Sequence, residues 1–193
     1  MGWDLDDAAL DAIALGQAVV RDGLLGLVAA HAAAEAARLW RSNLRPAGIG
    51  RGAEHHLDPT VRGDAIGWLG DDAPAALVPV LDAFEALRQE LNRRAWLSLQ
   101  PPEVQLGRFP AGAHYARHRD AFTGPTSRRI TAIYYPNPGW TSELGGQLRI
   151  FPPEGPREIT PRFDRAVVFR ADALEHEVLP TLADRWAITA WYR

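Results

Sequence analysis

The chain has 193 residues, of which 47% are hydrophobic and 23% charged, with a formal net charge of −3. These values predict one globular domain over residues 1–193, and the slight negative charge provides no basic surface for nucleic acid. Cysteine is absent, which excludes disulfides, thiol nucleophiles and cysteine-bound metals, so any metal must be held by histidine and carboxylate ligands.

The chain starts with the acidic stretch from Met1 to Asp7. This stretch lacks the basic region of a secretory signal peptide. The longest apolar run, 24–30, is far too short to cross a bilayer. We therefore expect a cytoplasmic protein with no membrane partner.

The first hundred residues are predicted to be mainly helical. Apolar residues recur at helical spacing over 7–17 and 24–44, and Pro46 ends the second segment. A third helix is predicted over 75–96, where the apolar residues at 77, 81, 84, 87 and 91 form one stripe. That stripe is interpreted as core packing.

A glycine-rich segment, 46–70, separates the second helix from the third. Its composition is typical of an exposed loop or hairpin rather than of core.

After residue 100 the hydrophobic period changes from 3.6 to 2, and clusters of proline and glycine separate short segments. Eight strands are predicted, over 103–109, 115–120, 129–135, 146–151, 157–160, 166–169, 175–179 and 186–192. Such strands favour a jelly roll or barrel, with the helices buttressing one sheet, and hence an α+β fold.

The histidine and acid content of these strands suggests a metal site. His118 and Asp120 are two residues apart, and residues i and i+2 of a strand share a face. His176, in a later strand, can supply a second imidazole. Two histidines and one carboxylate with open positions are typical of non-haem Fe(II) oxygenases, although the His-x-Asp spacing alone is weak evidence.

Arg185 precedes the apolar run 186–191, so its side chain is predicted to be partly buried. All 21 basic residues are arginine, so a buried anion would have to bind a guanidinium. A buried guanidinium needs an anionic partner. The partner is either a protein carboxylate or a small dicarboxylate co-substrate, and Tyr135 could donate a further hydrogen bond to the latter.

With these residues in view, the chain resembles the 2-oxoglutarate/Fe(II) oxygenases. It is most similar to the prolyl 4-hydroxylase branch that contains the hypoxia-inducible-factor hydroxylases and their bacterial relatives. The resemblance runs from about residue 47 to residue 193 and depends on ordered segments: 61–68, 109–110, 115–120, 133–137, 145–152, 163–165, 176–178 and 185–192.

The resemblance implies a double-stranded β-helix (jelly-roll, cupin-like) core over 103–193, buttressed by a helical part over 1–100. It implies that His118, Asp120 and His176 bind Fe(II), and that Arg185 and Tyr135 hold the distal carboxylate of 2-oxoglutarate. The remaining implied co-substrate contacts are Thr189, Trp191, Ile133 and Leu148.

The resemblance also implies that the segment 46–70 closes over the substrate. Candidate substrate-binding residues are Tyr115, Arg128, Arg62 and Asp64, with Asp64 expected to pair with Arg128. One departure from the branch is Phe109, which stands where a tyrosine is usual. Its missing hydroxyl predicts weaker binding of 2-oxoglutarate.

The implied reaction is hydroxylation of a prolyl residue in a protein or peptide, with Fe(II), 2-oxoglutarate and O2 as cofactor and co-substrates, and succinate and CO2 as co-products. A translation-elongation GTPase is one target that the resemblance suggests. Two alternatives remain open: a hydroxylase of a free amino acid or small metabolite, and a cupin-like metal protein that does not use 2-oxoglutarate.

Overall fold

The computed structural model describes residues 2–49, 56–121 and 127–193. The helices in these ranges are α1 (Asp7–Ala14), α2 (Leu27–Leu39) and α3 (Val78–Ala95), with short 3-10 turns at Trp40–Asn43, Ala75–Leu77 and Ser142–Leu144. The strands are β1 (Val19–Asp22), β2 (Arg45–Pro46), β3 (Ala65–Trp68), β4 (Glu103–Phe109), β5 (Tyr115–His118), β6 (Ile130–Tyr135), β7 (Leu148–Ile150), β8 (Arg157–Ile159), β9 (Arg165–Arg170), β10 (His176–Val178) and β11 (Arg185–Tyr192).

The strands form two antiparallel sheets. The larger has the order β1-β9-β6-β11-β4-β3-β2, and the smaller has the order β5-β10-β7-β8. Each of the eight strands predicted from the period-2 pattern has a counterpart here. The arrangement of helices and two sheets confirms the predicted α+β fold with a double-stranded β-helix core.

The larger sheet is buried on both faces. In β6, Ala132 and Tyr134 belong to the apolar cluster that contains the helices, whereas Ile133 and Tyr135 belong to the cluster that includes β7 and β8. Alternate residues of a strand point to opposite faces. The helices therefore cover one face of the larger sheet, and the smaller sheet covers the other.

The helices pack on the outer face as predicted. Leu77, Phe84, Leu87 and Leu91 of the predicted stripe are buried, and Leu81 packs against the same cluster. The helix predicted over 24–44 is shorter than expected. α2 begins at Leu27, after a segment whose backbone N–H groups at 25 and 26 donate to the carboxylate of Asp164.

The first hundred residues, predicted to be mainly helical, also contain β1, β2 and β3, which were not predicted as strands. These strands have four, two and four residues, which is too short for a period of 2 to be recognised. β1 pairs with β9, and β3 pairs with β4, so long-range pairing stabilises them.

The segment 46–70 was predicted to be an exposed loop or hairpin, and its ends do pair as antiparallel strands, β2 with β3, but its C-terminal part is not fully exposed. Residues 65–68 form β3, and Asp64 is buried. A Cβ atom on Gly67 would lie 2.7 Å from the Trp40 ring, so this glycine allows close packing rather than chain flexibility. Residues 50–55 of the predicted loop lie outside the described residues.

Among the described helices, none combines the length and the apolar character that crossing a bilayer requires.

Candidate metal centre and its pocket

Two adjacent strands of the smaller sheet bring the predicted ligands together. β5 pairs with β10 so that His118 lies opposite His176, and Asp120 follows β5 by two residues. The ligand atoms of these three residues lie within 4.8 Å of one another. The Nε2 atoms of His118 and His176 are each 3.6 Å from a carboxylate oxygen of Asp120. This donor set and spacing fit one divalent metal ion with further positions open.

Backbone carbonyls orient both imidazole rings. The Nδ1 atom of His118 lies 2.8 Å from the carbonyl oxygen of Ala116, and that of His176 lies 3.3 Å from the carbonyl of Leu174. A carbonyl only accepts hydrogen bonds, so each Nδ1 carries the proton and each Nε2 presents a lone pair. This is the usual support for histidine ligands of a metal.

The carboxylate of Asp120 is also oriented, because the Thr131 hydroxyl donates to its Oδ2 at 2.8 Å. Burial by itself would raise the pKa of Asp120, but the imidazoles of His176 and His118 and the Thr131 hydroxyl outweigh it, so the pKa lies well below its usual range. Burial lowers the pKa of His176 to about 4. At neutral pH Asp120 is therefore a carboxylate and His176 a neutral imidazole, the forms that bind a metal.

Arg185 lies at the inner end of the same cleft and is 1% exposed. Its Nε donates to the carbonyl of Gly146 at 2.7 Å. Within the described ranges, no carboxylate lies within 4.0 Å of its guanidinium. Two partners were predicted for Arg185, a protein carboxylate or a dicarboxylate co-substrate, and the protein carboxylate is not observed among the described residues. A buried guanidinium without an anionic partner destabilises the fold, so the site favours binding of an anion.

The hydroxyl of Tyr135 is a second unsatisfied group in this region. It is buried and has no hydrogen-bond partner among the described residues, and its ring centre lies 5.1 Å from the Arg185 guanidinium. A cation without a counter-ion beside a hydroxyl without a hydrogen-bond partner fits a bound carboxylate. The residues present thus fit a metal ion together with a small dicarboxylate.

The cleft between these two ends is lined by the remaining predicted co-substrate residues, Ile133, Leu148, Thr189 and Trp191. Phe109 lines it too, with its ring centre 4.9 Å from the Arg185 guanidinium. Gly107, two residues before Phe109 on β4, leaves room there, because a Cβ atom would meet only one backbone oxygen at 3.8 Å.

Two of the predicted substrate-binding residues, Tyr115 and Arg62, stack on the metal ligand His118. The ring centres of Tyr115 and His118 are 3.7 Å apart with 17° between the ring planes, and the Arg62 guanidinium lies 4.3 Å from the Tyr115 ring centre. Arg62 in turn forms two hydrogen bonds, of 2.8 and 2.6 Å, with the carboxylate of Asp64. Arg62 and Asp64 are thus linked through the Tyr115 ring to the metal ligand His118.

The predicted pairing of Asp64 with Arg128 is wrong. Asp64 pairs with Arg62, whereas Arg128 lies 3.4 Å from Glu103 and stacks on the Trp191 ring at 3.9 Å. Arg62 is two residues from Asp64 on the same short segment, so the pair forms at a small cost in chain entropy.

Three residues at the site were not predicted. Thr131 orients Asp120, Gly146 accepts from Arg185, and Gln105 lines the cleft. The period-2 pattern contained a signal for Gln105, because it shares a face of β4 with Phe109. Thr131 and Gly146 act through contacts with residues distant in sequence, and no local pattern marks them.

The metal trio and Arg185 lie in a part of the chain that matches a known protein family. The family model described as the 2OG-Fe(II) oxygenase superfamily matches residues 104–193. Prolyl hydroxylase EGLN3 of Mus musculus is 36% identical over 142 residues, covering 68% of this chain and 59% of that protein. Egl nine homolog 1 of Rattus norvegicus is 46% identical over 145 residues, covering 68% and 41%. The match thus spans three fifths or less of these curated relatives.

Two solved structures are similar over almost the whole chain. A prolyl-4-hydroxylase of Pseudomonas putida is 31% identical with a TM-score of 0.86, covering 96% of this chain and 97% of that one. A prolyl hydroxylase of Trichoplax adhaerens, solved with a peptide fragment of the hypoxia inducible factor oxygen degradation domain, is 27% identical with a TM-score of 0.84, covering 95% and 86%.

Proposed function

The chain belongs to the 2OG-Fe(II) oxygenase superfamily, in the branch that contains the prolyl hydroxylases, and from this premise we propose that it hydroxylates a prolyl residue in a protein or peptide. The observation that carries the proposal is the cleft itself. A metal-ligand trio occupies one end, and a buried guanidinium that lacks a carboxylate partner among the described residues occupies the other.

His118, Asp120 and His176 would hold Fe(II), with their orientation fixed by the two backbone carbonyls and the Thr131 hydroxyl. When bound, Fe(II), 2-oxoglutarate and O2 supply the oxidation, in which one oxygen atom enters the substrate C–H bond and the other enters succinate as CO2 is lost.

Arg185 and Tyr135 would bind the distal carboxylate of 2-oxoglutarate. A guanidinium forms two parallel hydrogen bonds to a carboxylate, which sets the orientation of the co-substrate. Ile133 and Leu148 are apolar walls of the cleft and would exclude water from it. In a cupin-like protein that does not use 2-oxoglutarate, a protein carboxylate would neutralise the Arg185 guanidinium. The lack of such a carboxylate among the described residues favours the use of 2-oxoglutarate.

A second cavity opens outward from the metal centre and suits an extended peptide. Its lining combines aromatic side chains, Trp68 and Trp191, with Arg62, Arg128 and Tyr115. Trp68 is 53% exposed, so it can be covered by a partner. These features favour a peptide over a free amino acid, which would leave most of this cavity unfilled.

We further propose that the protein works in the cytoplasm as one domain over 1–193, and that its target is a proline in a host protein such as a translation-elongation GTPase. The support for a protein target is the similarity to prolyl hydroxylases, one of which is named after hypoxia-inducible factor and one of which was solved with a peptide of that factor.

The direct test loads the purified protein with Fe(II) under anaerobic conditions, adds 2-oxoglutarate and synthetic peptides tiled over the prolines of the elongation GTPase, and admits O2. We expect succinate and peptide hydroxylation in equal amounts, with the peptide gaining about 16 mass units from one oxygen atom. Asp120→Ala serves as the control that lacks a metal ligand.

Other outcomes lead to other functions. Succinate formed in response to free proline but to no peptide would assign a small-molecule hydroxylase. Stoichiometric Fe(II) binding without binding or turnover of 2-oxoglutarate would assign the cupin-like alternative and refute the proposal.

A further inference from the structure

Gln105 lies where the co-substrate cleft meets the outer cavity. On β4 it is directly opposite Thr189 of β11 and directly opposite Trp68 of β3. Residues opposite each other in adjacent strands point to the same face of a sheet. Gln105 lines both the cleft that holds Arg185 and the outer cavity.

Within the part of the chain that the structure describes, the carboxamide of Gln105 is unpaired. Its residue is only 8% exposed, yet its side chain makes no hydrogen bond with any described residue. The indole Nε1 of Trp191, which lines the same two cavities, is buried and without a hydrogen-bond partner in the described ranges. A buried polar group is normally satisfied, so this N–H indicates a polar ligand, and the Gln105 carboxamide lies at the same junction, where it can bind that ligand too.

The chemistry of the two groups identifies the kind of ligand. Nε1 of an indole only donates, whereas a carboxamide both donates and accepts. A carboxylate needs donors alone, and the 2-oxoglutarate carboxylate already has Arg185 and Tyr135. A peptide backbone needs both kinds of partner, because it carries N–H and C=O groups.

The structure of proline indicates which backbone N–H of a peptide Gln105 can bind. Its own nitrogen carries no hydrogen, so the N–H nearest the reacting ring on the C-terminal side is that of the following residue. Resting on the proposed function, we propose that Gln105 is a specificity-determining residue whose Oε1 accepts a hydrogen bond from the backbone N–H of the residue that follows the reacting proline. Trp191 Nε1 donates to a carbonyl of the same peptide segment.

The test uses a peptide from the tiled set that the Fe(II)-loaded protein hydroxylates, and a second version in which an ester replaces the amide after the proline. The ester removes the N–H and keeps the shape of the chain. The variant is Gln105→Met, which has similar size and cannot accept a hydrogen bond of this strength. The same substitution at the exposed Gln100, away from both cavities, is the matched control.

We expect Gln105→Met to raise the KM for the amide peptide about tenfold, the effect of one lost hydrogen bond to a buried group. The ester should raise the KM of the unaltered protein by a similar factor. The ester peptide assayed with Gln105→Met should show a KM no higher than either change produces alone, because both changes remove the same hydrogen bond. The KM for 2-oxoglutarate and the behaviour of Gln100→Met should not change.

Several results would overturn the inference. A rise in the KM for 2-oxoglutarate instead of the peptide would assign Gln105 to the co-substrate. Additive effects of variant and ester, or an unchanged KM for the amide peptide, would remove the proposed contact. If Gln105→Met folds poorly, an ester peptide that leaves the KM of the unaltered protein unchanged still refutes the proposed hydrogen bond. If the unaltered protein hydroxylates no peptide at all, the proposed function fails, and this inference fails with it.

Discussion

Gly146→Ala tests whether close backbone packing positions the Arg185 guanidinium. Gly146 has a φ of +66°, and a Cβ atom there would lie 2.9 Å from Cδ of Arg185 and 3.2 Å from Cβ of Thr181. Its carbonyl also accepts the Arg185 Nε hydrogen bond. Alanine in this position cannot be accommodated unless the arginine side chain moves.

Gly139→Ala is the matched control, because Gly139 has a nearly equal φ of +71° and a Cβ atom there would meet nothing within 4 Å. Left-handed backbone costs a non-glycine residue about 1–2 kcal/mol, and both variants should lose this much stability. Gly146→Ala should lose about 1–3 kcal/mol more from overpacking. Chemical denaturation of the two variants measures the difference.

The functional readout is the affinity for 2-oxoglutarate, measured by calorimetric titration of the Mn(II)-loaded protein. A displaced Arg185 loses a charge-assisted hydrogen bond of about 1.5–3 kcal/mol, which corresponds to about a tenfold to hundredfold weaker Kd. Gly139→Ala should bind 2-oxoglutarate normally. Equal affinities of the two variants would refute the argument that Gly146 positions Arg185 for the co-substrate.

Three further predictions concern the metal and the cleft. Asp120→Ala should abolish stoichiometric Fe(II) uptake, since the carboxylate is one of the three predicted ligands. Elemental analysis after desalting measures the bound iron, and full retention of iron would contradict the ligand assignment. Phe109→Tyr should tighten 2-oxoglutarate binding by up to about tenfold, the effect of one added hydrogen bond, whereas Phe151→Tyr, whose ring faces an arginine outside the cleft, should not change it. In the folded, metal-free protein the pKa of His176 is about 4, compared with the ordinary value of 6.5 that applies to the unfolded chain. The unfolded state therefore binds more protons between these two pH values. The unfolding free energy should decrease by about 3 kcal/mol as the pH is lowered from 6.5 to 4. Urea unfolding of His176→Gln should lack this part of the pH dependence, and an identical profile for both proteins would disprove the buried neutral imidazole.

The shared face of His118 and Asp120 and the burial of Arg185 could be predicted from the sequence because each depends on local features, whereas His176 joins the trio only through the pairing of β10 with β5. The i, i+2 spacing of His118 and Asp120 is a property of one short segment, and an arginine at the start of an apolar strand indicates burial without knowledge of its neighbours. Strand periodicity, likewise local, predicted the eight strands of the β-helix core. The resemblance added the roles of Tyr135 and the other cleft residues.

Tertiary structure decided what depends on contacts between distant segments. β1 and β3 are too short to be recognised and exist because β9 and β4 pair with them. Arg128 lies beside Glu103 and Trp191 rather than Asp64, because the fold brings these distant segments together. Composition and spacing therefore determine which chemical groups this chain possesses and where its strands run. Only the packing of its two sheets determines which buried groups stay without a partner, and those groups are the ones available to ligands.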